Sequence, residues 1–273
     1  ISMQTIDQVW ERVLDAKARG SALPEFTEGG MSAHAQQLLE VFQPLCADDK
    51  GWVVGQLGQS LDGRIATPSG ASRYINGDDG LVHLHRLRAV ADAVVVGAGT
   101  AIEDNPRLTV RHVAGRQPVR VVVDRRDRLP WDHHLLVDGA APTLHLVAGD
   151  AMPDKARPCP EHGVIRIPCL DPERVTIDPV RVLSVLACFG LQNVFVEGGG
   201  RTVSAFLDAG LLDRLHVLVA PMIIGSGYPA FTLPEIDHLR DAIRPKARVV
   251  NLGSDVLFDL DLSGSETPDQ AQE

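Results

Sequence analysis

The sequence predicts an α/β protein: a mixed, mainly parallel sheet with flanking helices, closed at its C-terminal end by a β-hairpin. Three observations predict it. Short runs of Val, Ile and Leu bounded by Gly, Pro and Asp recur along the chain, helical patterns lie between several of them, and the last apolar segment folds back around Gly253-Ser254-Asp255. Runs without polar alternation suit strands covered on both faces, and strands that alternate with helices assemble into parallel sheets.

The elements follow in order. Residues 1–50 read as a helical extension. Ile6, Val9, Trp10, Val13 and Leu14 recur at helical spacing, a Gly/Pro-rich break runs from Gly20 to Gly30, and a second short helix spans Ser32 to Phe42. Such an arm packs on the main domain or on a second subunit. The main domain covers residues 51–263. It opens with the strand-and-turn sequence WVVGQLGQSLDG, followed by a helix from Asp78 to Val90. Apolar runs then mark strands at 93–99, 119–124, 143–149, 164–168, 193–199 and 215–225. Helical patterns at Val180–Phe189 and Thr202–Ala209 separate some of them, and residues 247–262 read as the closing hairpin. Residues 264–273 are polar and read as a disordered tail.

Composition narrows the function classes. The chain has 273 residues and a formal net charge of -10. A nucleic-acid binder normally carries a basic face, so that class is disfavoured. No apolar run is long enough to span a bilayer, so no membrane partner is expected. Cys46, Cys159, Cys169 and Cys188 form no CxxC pair and no zinc-spaced cluster with His. No metal site is predicted, and a reducing, cytoplasmic setting follows.

Four stretches carry candidate chemistry. VEGGGRT (196–202) passes from a strand through three glycines into a helix. It fits two readings, a diphosphate cradled on helix N–H groups or a tight turn that holds no ligand. VVVGAGTAIEDNPRLTVR (94–111) repeats the strand-to-glycine passage and adds Asp104, Arg107 and Arg111. Two glycine-rich strand ends in one sheet suggest a long ligand or two ligands that meet, because ligands bind beyond the carboxyl ends of strands. LGQSLDGRIATPSGASRYI (57–75) gathers Ser60, Asp62, Ser69, Ser72 and Arg73, which suit a polar, phosphorylated substrate. VVVDRRDR (121–128) sets Arg125 and Arg126 at a strand's end, either to bind a 2′-phosphate or as a charged loop.

Taken together, SLDGRIA, SGASRYI, HRLRAVADAVVVGAGTAIEDNPRLTVR, VRVVVD, VFVEGGGRTVSAFLDAGLLDRL and APMIIG resemble the pyrimidine reductase of riboflavin biosynthesis. That dihydrofolate-reductase-like domain follows a deaminase in bacteria and stands alone in archaea and fungi. The resemblance covers about residues 52–262. Residues 1–50 lack the His-x-Glu and Pro-Cys-x-x-Cys signature of the zinc deaminase.

The resemblance implies a homodimer that uses NADPH to reduce a phosphoribosylamino-pyrimidine at C1′ of its ribose. It implies that Gly198, Gly199, Gly200, Arg201, Thr202 and Val203 line the cofactor's diphosphate, and that Thr100, Ala101 and Asp104 contact its nicotinamide half. Arg125 would take the 2′-phosphate. Ser72, Arg73, Leu108, Arg111, Glu197 and Gln56 fall at substrate positions, with Arg111 on the ribose phosphate. Glu197 and Asp104 are the implied catalytic carboxylates, Glu197 assisting proton transfer near the ribose or base; the alternative for Glu197 is to fix the glycine turn. Gln56 stands where many bacterial relatives carry Lys, and Val82 where they carry a second phosphate-binding Arg, so the chain is closer to the archaeal and fungal type. Those enzymes reduce the diamino-pyrimidinone before deamination. A dihydropterin reductase of the same fold is the alternative activity.

Overall fold

The structure is a computed structural model that describes residues 4–23, 30–46, 50–72, 75–154 and 161–264. The tail from 265 and the predicted substrate residue Arg73 lie outside the described residues.

Two helices lead, α1 (Ile6–Arg19) and α2 (Ala33–Phe42). Thr5 and Gln8 form a reciprocal capping box that starts α1. The main domain then runs β1 (Trp52–Ser60), β2 (Arg64–Ala66), α3 (Asp78–Val90), β3 (Ala93–Gly97) and α4 (Ala98–Asp104). It continues with β4 (Val119–Val123), α5 (His134–Val137), β5 (Thr143–Ala148), β6 (Val164–Leu170) and α6 (Pro179–Cys188). Next come β7 (Asn193–Glu197), α7 (Gly200–Asp208), β8 (Arg214–Ala220), β9 (Tyr228–Pro229), β10 (Lys246–Leu252) and β11 (Asp255–Asp261).

Nine strands form one sheet in the order β10-β11-β8-β1-β7-β3-β4-β5-β6, while β2 and β9 pair separately. All pairs from β8 to β6 are parallel. The hairpin β10-β11 adds antiparallel to β8, as its sequence predicts. Side chains alternate between two cores. On β3, Val94 and Val96 face the side covered by α1, α2 and α3, while Ala93 and Val95 face the side covered by α6 and α7. The leading helices therefore share a core with the main domain. Trp10 packs edge-on to Phe42 with ring centroids 5.3 Å apart, and its indole N–H donates to the Ala114 carbonyl at 2.9 Å.

Two strand expectations are corrected. The run 215–225 stays a strand only to Ala220, since Pro221 has no N–H for the ladder, and Ile223 is exposed. The run beginning at Val164 is the edge strand, so its burial alternates rather than being complete on both faces. The short strands β2 and β9, seated beside the site, had no periodic signal long enough to find.

The chain's path fixes where ligands bind. From β1 it moves out through β3 to β6, returns as β7 between β1 and β3, and then crosses to β8 on the far side of β1. The carboxyl ends of β1, β3 and β7 thus meet at the reversal of strand order, where such sheets leave a crevice.

Candidate active site

That crevice is a cleft of about 1590 Å³, larger than the ~300–1000 Å³ of a typical single-ligand pocket. The two glycine-rich strand ends form its floor. Gly198 and Gly199 take φ of 64° and 58°, so the turn after β7 needs residues without a side chain. The turns interlock: a Cβ on Gly97 would meet the Thr202 hydroxyl at 2.5 Å, and one on Gly199 would meet the Thr100 hydroxyl at 2.8 Å. Gly200 lies against the carbonyl of Ala230, which leaves no room for a side chain there either. No side chain caps α7, so its first N–H groups and its dipole remain for a guest anion.

The substrate-like half lies beside this turn. Gln56 on β1 is in register with Glu197 on β7, and both line the cleft. Gln56 is buried, and its Oε1 has no hydrogen-bond partner among the described residues. A buried amide oxygen left unpaired is expensive, so a donor on a bound molecule is the natural complement. Glu197 is gripped by Arg88 of α3, which donates to its two carboxylate oxygens at 2.7 and 2.5 Å. With both oxygens engaged by Arg88, the Glu197 carboxylate is fixed in place at the cleft lining.

Opposite, Arg125, Arg126, Arg128 and Arg174 line the far end of the cleft. The turn that carries the first three is built on Asp124, which is fully buried. Its oxygens accept from the amides of Arg128 at 3.0 Å and Leu129 at 2.8 Å, and from the ring of His145 at 3.0 Å. Burial works to raise the Asp124 carboxyl, but the bonds from His145 and the two amides outweigh it and hold its pKa below the ordinary aspartate value. Asp124, Asp127 and His145 also lie close enough together to hold a metal ion. Yet Asp124 already holds two amides and the His145 ring, and Asp127 is paired with Arg166, so the cluster reads as a latch for the arginine turn.

Most of the expected residues meet here. Gln56, Ser72, Thr100, Asp104, Leu108, Arg125, Glu197, Gly198, Gly199, Gly200, Arg201 and Thr202 line the cleft. Ala101 and Val203 do not; both are fully buried and shape the floor from below. Arg111 is exposed outside the cleft lining, with its guanidinium donating to the Thr109 hydroxyl at 2.6 Å. Ser60 and Asp62 depart from the expected phosphate cluster. The Asp62 carboxylate accepts from Ser60 and from the amides of Ile224 and Gly225, tying down the 222–230 segment, and these bonds draw its pKa to about 2. Sequence reasoning missed Arg88, the Asp124–His145 latch and Tyr228, which lines the cleft from β9. Arg88 stood inside the quoted HRLRA motif; the other two had no local signal.

The geometry suits a dinucleotide laid across the glycine turn with a second ligand against Gln56 and Glu197. The chain is 35% identical over 220 residues to a 2,5-diamino-6-ribosylamino-4(3H)-pyrimidinone 5′-phosphate reductase of Methanothermobacter thermautotrophicus, covering 78% of this chain and 99% of that one. It is 33% identical to the riboflavin biosynthesis protein RibD of Bacillus amyloliquefaciens over 79% of this chain, and spans 60% of that longer protein. Among solved structures, RibD of Acinetobacter baumannii superposes with a TM-score of 0.64 at 27% identity, covering 83% of this chain and 62% of that one. Residues 51–258, from β1 into β11, match the RibD C-terminal domain, and the chain belongs to that family.

Proposed function

We propose that this chain is an NADPH-dependent reductase that converts a phosphoribosylamino-pyrimidine to its ribitylamino product, with the diamino-pyrimidinone as substrate. The observation that carries the reading is the register of Gln56 beside Glu197, one strand from the glycine turn. It sets two acceptors, the unpaired Gln56 Oε1 and the Glu197 carboxylate, next to a cradle for a diphosphate. The cradle fits the cofactor: two residues at positive φ, an uncapped helix start and an arginine turn after β4, two strands along the sheet from β7 in the same cleft. When bound, NADPH supplies the hydride that reduces C1′ of the ribose.

The chain's own residues bind and orient. Gly198 to Arg201 hold the diphosphate through backbone N–H groups, while the Thr202 N–H closes the turn on the Gly199 carbonyl at 2.9 Å, and Arg125 and Arg126 take the 2′-phosphate as charge-assisted donors. Gln56 pairs with the pyrimidine's exocyclic groups, and its neutral amide suits a diamino ring. Glu197 accepts from a ribose hydroxyl or ring N–H, and Asp104 flanks the nicotinamide half. Catalysis is then chiefly positioning. In this reading the protein is a cytoplasmic homodimer. The opposed pair Val249 and Phe258 on the hairpin, both exposed, supports a partner there.

The test follows NADPH oxidation with the diamino-pyrimidinone phosphoribosylamine, its deaminated counterpart and a dihydropterin in parallel. Turnover of the first alone is expected. Turnover of the pterin alone, or of none, overturns the reading. A monomer in sedimentation at working concentration removes the dimer.

A further inference from the structure

We infer that Arg88, which does not line the cleft, is a positioning residue that locks Glu197 to the loop 108–111, so that both sides of the pyrimidine site hold one geometry. This rests on the reading above, in which Glu197 faces the substrate, and on Leu108, the residue of that loop that lines the cleft.

The side chain of Arg88 is 6% exposed. Besides its fork on Glu197, its Nη1 donates to the Thr109 carbonyl at 2.9 Å. One guanidinium therefore joins the end of β7, just before the glycine turn, to a loop from another part of the chain. That loop has no ladder of its own. The Val110 N–H and C=O both bond the Gln117 amide, at 2.7 and 2.9 Å, and the Arg111 N–H donates to His85 Nδ1 at 3.0 Å. Leu108 sits at φ 53°, a strained value for a bulky residue that persists only where the surroundings over-determine it. Side chains, two of them from α3, thus hold the backbone that carries Leu108 and Arg111. A lysine could keep the charge at position 88, but it lacks the planar fork needed to reach two carboxylate oxygens and a carbonyl at once.

The experiment uses the full chain with Arg88→Lys, Arg88→Met, Glu197→Gln and the double variant Arg88→Met/Glu197→Gln. Both Arg88 variants should lower kcat/KM for the pyrimidine on the order of 100-fold through misplacement. NADPH affinity should stay within about twofold, because cofactor binding does not pass through this contact. The double variant should be no worse than the poorer single variant. Amide exchange at Arg111 should quicken in Arg88→Lys. Parent-like turnover by Arg88→Lys overturns the inference, as does a matching loss of NADPH affinity or a double variant whose loss is the product of the two singles. If Arg88→Met alone does not fold, the lysine and double variants carry the test; if neither of those folds, Arg88 is purely structural and the inference fails. If the parent turns over no pyrimidine, the proposed function fails separately, and unchanged exchange at Arg111 in Arg88→Lys still overturns the lock.

Discussion

The two ends of the cleft are built by different means. At the glycine turn proposed to hold the cofactor, the chain's own backbone does most of the shaping. Gly198 and Gly199 hold positive φ, and the turns after β3 and β7 interlock through Thr100 and Thr202. At the substrate end, long-range side chains do it: Arg88 grips Glu197 across 109 residues of sequence, and His85 and Gln117 hold the 108–111 loop. Backbone geometry tolerates few residue types and forgives little. A side-chain scaffold can be retuned one bond at a time, which suits the half of a site that must choose between related substrates.

The sharpest way to break this contrast is Gly199→Val. A β-branched residue at φ 58° that also meets Thr100 should weaken NADPH binding on the order of 100-fold or more. Titration of cofactor fluorescence reads it, and an unchanged Kd would remove the glycine turn from the cofactor site. Next in size is Arg125→Ala with Arg126→Ala. Losing charge-assisted bonds to a 2′-phosphate should cut the NADPH-to-NADH preference in kcat/KM about 10- to 100-fold, with NADH turnover little changed. An equal loss with both cofactors would mean that the arginines only raise the local potential. A smaller effect is expected at the other end. Gln56→Ala should raise the pyrimidine KM about tenfold and leave NADPH binding alone. A variant with parent KM would leave the unpaired Oε1 of Gln56 without a role.

The same contrast explains what the sequence disclosed. The glycine and arginine turns of the cleft were legible because their pattern is local. Three glycines after a strand and two arginines after another can be read from consecutive letters. The fold was legible for a similar reason, since Val-rich runs such as AVVVGAG report burial on both faces directly. The substrate end resisted. Gln56 and Glu197 came only through family likeness, and their register needs β7 to insert between β1 and β3, which no local pattern specifies. Arg111 was expected on the phosphate, yet it lies outside the cleft lining. Arg88 passed as one more charge in a helix, because nothing local distinguishes a buried arginine from an exposed one. Asp124 and His145 meet only once β4 and β5 pair.

The smallest expected effect tests how the substrate-end scaffold responds to acid. His85 is fully buried and accepts the Arg111 N–H on Nδ1, so its proton must sit on Nε2 and the ring must be neutral. Burial, followed by the nearby Arg88, His112 and Arg111, lowers its pKa from 6.5 to about 3. The sign follows from linkage. With its pKa depressed in the folded state, His85 binds more protons when unfolded, so its contribution is complete above about pH 6.5 and drains away as pH falls toward 3. The slope cannot exceed that of one proton, ~1.4 kcal/mol per pH unit. Other buried groups, His83 among them, add their own acid sensitivity. The informative quantity is therefore the difference between the parent and His85→Asn, whose side-chain oxygen keeps an acceptor for Arg111 without a titrating group. Urea denaturation from pH 7 to pH 4 should show the variant losing less stability than the parent, and the protection factor of the Arg111 amide in the parent, its exchange rate taken relative to the intrinsic rate at each pH, should fall over the same range. Parallel stability curves would mean that His85 is not held neutral, and the loop would then owe its position to Arg88 and Gln117 alone.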